Sequence, residues 1–196
     1  SDLPEIMGSG GGFLDFDSDG LLDIVLLEAV WGGGGPQTRS RARLYRQFAP
    51  GSFRDVSAMA GLNTFSSYAV GLAIGDYDND GDSDLFISCQ GPDVLFNNQG
   101  DGTFVDCSEH LSVRDPRWGT AATFFDYDRD GFLDLYVVNY LDYFPGNPCD
   151  DSRQRPDYCG PQAFQGTMGK LYRNLGEIDS QGRVLLDVSA VSGLAA

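Results

Sequence analysis

Short apolar runs separated by turn residues predict β-strands along this chain. In the middle third, four such runs lie at 67–74, 84–88, 93–97 and 103–107, and the turn sequence Gly100-Asp101-Gly102 precedes the last of them. Each run has the length of a strand, and the residues between runs are those that favour turns. Apolar residues at helical spacing do not recur over any useful length. The pattern therefore predicts an all-β protein built from four-stranded antiparallel meanders.

The meander pattern repeats three times, which indicates a single repeat domain. A leucine followed by an aromatic residue marks the third strand of each unit, at Leu44, Leu95 and Leu171. The three predicted units span about 7–62, 65–113 and 117–194. The first and third are longer because they carry insertions, at 31–43 and 142–166.

An aspartate-rich loop follows the first strand of each unit. In the stretch 76–84, carboxylates stand at positions 1, 3, 5 and 9 around a glycine at position 6, and the same spacing recurs at 15–23 and 126–134. Ca²⁺ takes six to eight oxygen ligands, which alternate side chains on a tight turn and the carbonyl of position 7 can supply. Glycine at position 6 permits the sharp turn. The spacing therefore predicts three calcium loops.

These loops differ from the EF-hand in the residues after the loop. An EF-hand has glutamate at position 12 and continues into a helix. Here position 12 is apolar, as Leu26, Ile87 and Val137, and lies in a predicted strand. We therefore expect calcium loops that connect one strand to the next.

The charge balance excludes some partners. The chain has 29 acidic and 13 basic residues, a net charge of −16, and three bound Ca²⁺ would leave −10. Nucleic acid is an improbable partner, because binding it requires Lys and Arg to neutralise phosphates. No apolar run approaches the roughly 20 residues of a membrane span. No signal peptide is recognisable, so a mature or trimmed chain is expected.

The four cysteines permit two disulfides in three possible pairings. Cys149 and Cys159 both lie in the third unit's insertion, where a disulfide would close a loop of about ten residues. Cys89 and Cys107 are expected on neighbouring strands, either paired or as two buried free thiols. Stable disulfides and millimolar calcium both belong outside the cytoplasm. The sequence therefore predicts a secreted or cell-surface protein.

The repeated motifs resemble a known family. The loop Asp-Phe/Tyr-Asp-x-Asp-Gly-x-x-Asp, then Leu-Tyr/Phe-x-Asn and Gly-x-Gly-x-Phe-x-Asp, is similar to the FG-GAP or VCBS repeat of integrin α-chain propellers and many secreted bacterial proteins. The resemblance runs from about Gly11 to Leu194. The segment 157–161, followed by Phe164, resembles bacterial members whose propeller precedes an ASPIC/UnbV domain, a group related to cartilage acidic protein. This likeness implies a bacterial extracellular protein.

The resemblance implies a fold and a ligand set. Each family repeat is one four-stranded blade of a β-propeller, with Ca²⁺ held between the first two strands. Three blades are fewer than the family's usual seven, so we expect an incomplete propeller or arc, either as a piece of a longer protein or closed by stacked copies. The implied side-chain ligands are Asp15, Asp17, Asp19, Asp23, Asp76, Asp78, Asp80, Asp84, Asp126, Asp128, Asp130 and Asp134. The implied carbonyl ligands are those of Leu21, Asp82 and Phe132.

No enzyme motif is present, since GxSxG, HExxH and Walker sequences are all missing. We expect a non-catalytic module for adhesion or for binding a protein or glycan, with Ca²⁺ as a structural staple and specificity in the insertions. One alternative is a structural subunit whose open β-ends join identical copies into an extracellular filament or array. A weaker alternative is a non-catalytic domain of a larger secreted enzyme. A run of basic residues either binds an acidic glycan or balances the surrounding negative charge of the protein; its members are Arg39, Arg41, Arg43 and Arg46.

Overall fold

In the part of the chain that the structure describes, twelve strands form three four-stranded antiparallel sheets. The computed structural model describes residues 8–32, 38–62, 65–144, 149–155, 157, 159–177 and 184–194. Parts of both predicted insertions, at 33–37, 145–148, 156 and 158, lie outside the described residues, as does the predicted start at residue 7. The all-β prediction and the four-stranded meanders are confirmed.

Each sheet is a meander in which strands pair in chain order. The first sheet comprises β1 (Gly11–Leu14), β2 (Asp23–Val30), β3 (Arg39–Ala49) and β4 (Ser52–Asp55). The second comprises β5 (Tyr68–Gly75), β6 (Asp84–Gln90), β7 (Val94–Asn98) and β8 (Phe104–Asp106). The third comprises β9 (Gly119–Phe125), β10 (Asp134–Asn139), β11 (Lys170–Asn174) and β12 (Leu185–Asp187). The four strands predicted for the middle unit are correct to within two residues.

Helical structure is nearly absent from the described residues. They hold one 3₁₀ turn, Pro161–Ala163. Within that part of the chain, no helix has the length and apolar character needed to cross a membrane.

The sheets stack face to face, as blades do. The first strand of the second sheet packs on the first sheet, and β9 packs on β5 and β6. The approach of β5 to β9 is close enough to require glycine, since a Cβ on Gly71 would lie 2.8 Å from the Thr120 carbonyl oxygen. We refer to the three sheets as blades 1, 2 and 3.

Side-chain alternation along the strands fills the spaces between blades. Leu85 and Ile87 of β6 belong to the core shared with blade 1, whereas Phe86 between them belongs to the core shared with blade 3. Among the described residues, the outer faces of blades 1 and 3 have no such cover. Leu26 of β2 is 46% exposed and Val138 of β10 is 41% exposed. The chain is therefore an arc of three blades with two open faces.

The two insertions meet at the end of the blades opposite the aspartate loops. Trp31 from the first insertion lies 6.2 Å, between ring centroids, from Tyr143 of the second. Tyr143 also contacts Trp118 at 5.4 Å and Phe164 at 5.2 Å. With Tyr68 these rings form an aromatic cluster across the blades.

The predicted Cys149–Cys159 disulfide is present, with a Cα–Cα distance of 5.1 Å. Cys89 and Cys107 are free thiols, so their pairing does not occur. The expectation that they lie on neighbouring strands is wrong, because β7 separates β6 from β8. Cys89 faces the core shared with blade 1, and Cys107 packs against the core shared with blade 3. The middle sheet itself therefore stands between them.

Candidate calcium sites

The three aspartate loops share one backbone conformation. Position 6 has a positive φ in each, at 86° for Gly20, 97° for Gly81 and 92° for Gly131. Position 4 also has a positive φ although it is never glycine, at Ser18, Asn79 and Arg129. Two left-handed residues within three positions turn the chain sharply enough to bring alternate side chains to the same side.

The first aspartate of each loop binds the loop's own backbone. In the middle loop, Asp76 accepts hydrogen bonds from the N–H groups of Asp80 (3.1 Å) and Gly81 (2.9 Å). The equivalent bonds are 3.0 and 2.8 Å at Asp15 and 3.1 and 3.0 Å at Asp126. The loop shape is thus set by aspartate and glycine at fixed spacing, which is why the sequence motif predicts it.

The aspartate at position 9 is the first residue of the second strand and is fully buried in every loop, at Asp23, Asp84 and Asp134. Asp84 accepts the Tyr77 N–H at 3.0 Å and the Asn98 N–H at 2.8 Å. Burial raises the pKa of Asp84 to about 7, because the charged form loses its hydration. Burial likewise raises the pKa of its two counterparts. These carboxyls link the loop to the third strand of the same blade.

A side chain from the third strand of each blade contacts the aspartate at position 3. Arg46 Nε lies 2.5 Å from Asp17 Oδ2, and Arg173 Nε lies 2.7 Å from Asp128 Oδ2. In blade 2 the contact is an amide, because Asn97 Nδ2 donates to Asp78 Oδ2 at 2.7 Å. The sequence placed Arg46 in a basic run that either binds an acidic glycan or balances negative charge, but it did not identify Asn97 and Arg173, although all three directly follow the Leu-aromatic pair.

The first and second loops are also tied to the following blade. Asn98 Nδ2 of blade 2 donates to the Phe16 carbonyl in the first loop at 2.9 Å, and Asn174 Nδ2 of blade 3 donates to the Tyr77 carbonyl in the second at 2.6 Å. Asn98 and Asn174 are both fully buried. The loop backbone therefore forms part of the contact between blades.

Comparison with known proteins assigns these repeats. The model of the FG-GAP-like repeat matches residues 15–87 and 76–137, which together exceed half of the chain. This chain belongs to the FG-GAP-like repeat family. The two matches begin at Asp15 and Asp76, the first aspartates of the first and second loops.

Three vertebrate relatives contain a similar segment. Human cartilage acidic protein 1 is 36% identical over 91 residues, which are 45% of this chain and 14% of that protein. The mouse protein of the same name gives the same figures. The Xenopus tropicalis protein of that name is 38% identical over 88 residues, 44% of this chain and 13% of its own length. The chain thus spans about a seventh of these relatives.

The donor atoms of the FG-GAP-like loops fit a hard divalent cation. Three carboxylates in each loop offer oxygens within 4.8 Å of one another, in the groups Asp15/Asp17/Asp19, Asp76/Asp78/Asp84 and Asp126/Asp128/Asp134. Within the first group, the buried Asp17 Oδ1 has no hydrogen-bond partner. Oxygen-only ligands favour Ca²⁺ over metals that prefer nitrogen or sulfur. The remaining aspartates, Asp23, Asp80 and Asp130, and the carbonyls of Leu21, Asp82 and Phe132, stay predicted ligands.

Proposed function

We propose that this chain is part of an extracellular, non-catalytic β-propeller-type module in which Ca²⁺ staples each blade. One observation carries the proposal. The same loop occurs three times, with candidate donors drawn from a single repeat. In the first two copies a backbone carbonyl of the loop accepts a hydrogen bond from the next blade. An ion held there stabilises a blade and its contact with the neighbouring blade together.

The loop carboxylates support a structural role better than a catalytic one. Both oxygens of Asp76 accept loop N–H groups, and both oxygens of Asp84 accept N–H groups from the loop and from β7. Carboxylates held in this way fix the backbone. Without an ion, three or four carboxylates in one loop repel each other by roughly 1 kcal/mol per pair at 4 Å even in water. We therefore propose that calcium is required for full stability.

Three observations support an extracellular location. The Cys149–Cys159 disulfide is of the kind that persists in oxidising compartments. Loops of this type suit the millimolar calcium found outside cells. The relatives carry a name that refers to cartilage and to acidity, and this chain has a net charge of −16. These relatives are vertebrate proteins, so a bacterial origin stays a prediction.

The insertion end is the proposed surface for a protein or glycan ligand. Here the two insertions meet through Trp31 and Tyr143, and Phe144 is 54% exposed. This end lies at the far end of β2 and β10 from the aspartate loops, so Ca²⁺ would not bridge to the ligand. Arg41 and Arg43 form ion pairs with Glu28, and Arg46 forms one with the first loop. Most of the basic run is therefore paired with carboxylates of this chain.

The calcium role is tested by melting the chain in excess calcium and in excess chelator. We expect a higher melting temperature in calcium for the wild type and a smaller difference for Asp76→Asn. Asp150→Asn, at an exposed position outside the loops, is the matched control. Equal melting temperatures of the wild type in the two conditions would refute the proposal.

Ligand binding at the insertion end is tested by screening the immobilised chain against extracellular-matrix proteins and acidic glycans. Phe144→Ala should weaken any interaction found. Val191→Ala should leave it unchanged, since Val191 is 84% exposed on the last turn of blade 3. Equal effects of the two substitutions would remove the insertion end from consideration.

Assembly from identical copies is a second candidate, because the outer faces of blades 1 and 3 expose large apolar side chains. Phe13 is 66% exposed and Val30 is 53% exposed on the outer side of blade 1. Mass photometry in calcium distinguishes the two candidates. Oligomers that Leu26→Lys converts to monomers would support assembly, and monodisperse wild-type monomers would count against it.

A further inference from the structure

The three loops differ in the charge of the third-strand residue that contacts them. In blades 1 and 3 a guanidinium spans two loop carboxylates. Arg46 contacts Asp17 at 2.5 Å and donates to Asp19 Oδ2 at 2.9 Å. Arg173 contacts the equivalent pair in the third loop, Asp128 at 2.7 Å and Asp130 at 3.3 Å.

Blade 2 has a neutral side chain in the same place. Asn97 Nδ2 donates to Asp78 Oδ2 at 2.7 Å and to Asp84 Oδ1 at 3.3 Å. No cationic side chain forms an ion pair with this loop among the described residues. The loop also carries a fifth aspartate, Asp82, at position 7.

The local charge of the three sites therefore differs. The first loop has four aspartates and Arg46, a net charge of −3. The middle loop has five aspartates and a neutral Asn97, a formal charge of −5 when every carboxyl is ionised. The third has four aspartates with Arg129 and Arg173, a net charge of −2.

We propose that the residue at positions 46, 97 and 173 divides the calcium loops into two classes. The middle site binds Ca²⁺ at least tenfold more tightly than the other two. The outer loops bind it more weakly but keep their shape when the ion is removed. This inference rests on the calcium role proposed above.

The physical basis is that the arginine stabilises the metal-free loop and destabilises the metal-bound loop. Without metal, the guanidinium neutralises the carboxylates at positions 3 and 5 and holds the loop together. With metal, it stands a few ångströms from a divalent cation and repels it. Even with water screening, a unit charge at this range changes the affinity for a divalent ion by roughly tenfold or more.

Arginine lowers affinity in this arrangement without blocking the site. Arg46 contacts Asp17 through Oδ2, whereas the buried Asp17 Oδ1 has no hydrogen-bond partner and stays available to an ion. The guanidinium thus stands beside the position for the ion. Asn97 also holds the aspartate at position 3, but its second bond is to Asp84 at position 9 and not to the aspartate at position 5. Substitution at this one position therefore changes the charge while the contact with position 3 can be kept.

Calorimetric titration of the chelator-treated 196-residue chain with CaCl₂ tests the proposal. We expect one tight site and two sites at least tenfold weaker. Arg46→Asn should convert one weak site to the tight class, and Asn97→Arg should remove the tight class. Arg39→Asn is the matched control, because it makes the same charge change at the far end of the sheet, opposite Val30, and should leave all affinities unchanged.

Melting temperatures measured in chelator and in calcium supply a second readout. The proposal predicts that a substitution which raises the melting temperature in chelator reduces the increase that calcium gives, and the reverse. Asn97→Arg should raise the melting temperature in chelator and shrink the increase that calcium gives. Arg46→Asn should lower the melting temperature in chelator and enlarge that increase. A purely structural arginine would shift the melting temperature equally in both conditions. If Arg46→Asn fails to fold without calcium, Asn97→Arg alone decides the question.

The possible failures are distinguishable. Three sites of equal affinity would overturn the division into classes and leave the calcium role intact. A loss of affinity in Arg46→Asn would show that arginine organises the ligands, which also overturns the inference. No calcium binding at any loop would refute the proposed function together with it.

Discussion

Replacing Asn174 with alanine should weaken the contact between blade 3 and blade 2. Asn174 is fully buried. Its Nδ2 donates to the Tyr77 carbonyl of the neighbouring loop at 2.6 Å and to the Leu133 carbonyl of its own loop at 3.0 Å. Its Oδ1 accepts the Gly176 N–H at 3.0 Å. Alanine removes all three bonds.

The expected loss follows from the groups left without this partner. A buried polar group without its hydrogen bond costs roughly 1–3 kcal/mol. The bond to the Tyr77 carbonyl is buried, whereas the Leu133 carbonyl and the N–H of the exposed Gly176 can be hydrated, so the expected loss is roughly 1–3 kcal/mol. For a chain of this size, that corresponds to a fall of roughly 2–12 °C in melting temperature. Asn98→Ala should give a similar loss at the other interface, where Asn98 bonds Phe16 at 2.9 Å, Ser83 at 3.3 Å and Gly100 at 3.2 Å.

The assay is urea denaturation in saturating calcium, so that metal binding does not differ between variants. Gln99→Ala is the control, because Gln99 is exposed and its side chain bonds only within its own hairpin. We expect the control to change the free energy of unfolding by less than about 0.5 kcal/mol. A loss for Asn174→Ala no greater than that of the control would show that the amide does not hold the blades together.

Three further predictions concern the backbone, a buried carboxyl and the thiols. Gly81→Ala should lower the free energy of unfolding by about 1–2 kcal/mol, because alanine is strained at a φ of 97°, while nothing lies within 4 Å of an added Cβ. Gly8→Ala, where an added Cβ also meets nothing, should leave the free energy of unfolding unchanged in the same urea assay. Equal effects of the two substitutions would contradict this explanation. Burial raises the pKa of Asp93 well above its usual range, so its contribution to stability is present below about pH 4 and is lost as pH rises. Asp93→Asn should therefore stabilise the chain at pH 8 more than at pH 5 in calcium, and a pH-independent difference would contradict the raised pKa. Cys89 and Cys107 should give two reactive thiols per unfolded chain without reductant, with the buried Cys89 reacting only on unfolding; a count of zero would mean that they pair.

The loops and the strand order could be predicted from the sequence because both depend on local chemistry. Asp76 and Gly81 fix the turn through bonds within six residues, and this pattern is visible in any copy of the motif. The strands of the middle blade were placed within two residues, because turn residues bound each apolar run. Because the motifs repeat, the strand order of the middle unit could be transferred to the other two units.

Contacts across strands could not be predicted in the same way. The pairing of β5 with β6 is one example, because a register shift between Ala69 and Gly71 interrupts it and nothing in the local pattern signals that shift. For Arg46 the sequence offered a role in balancing negative charge but not the partners, because Asp17 and Asp19 are 29 and 27 positions earlier. Alignment of the Leu-aromatic motifs puts Arg46, Asn97 and Arg173 at equivalent positions. The alignment does not show that these side chains contact the aspartate loops.

The strands connect the calcium end of each blade to the insertion end. Strand β2 begins at Asp23, in the first loop, and ends at Val30, where the first insertion begins. Seven residue steps along a strand span roughly 23 Å, so an ion near Asp23 does not touch a ligand near Trp31. In the proposed function, calcium would instead stabilise the contacts between blades on which the insertions rest. Calcium dependence of ligand binding should therefore follow the stability of the blades, weakening as a chelator-treated chain approaches its melting temperature and becoming small well below it.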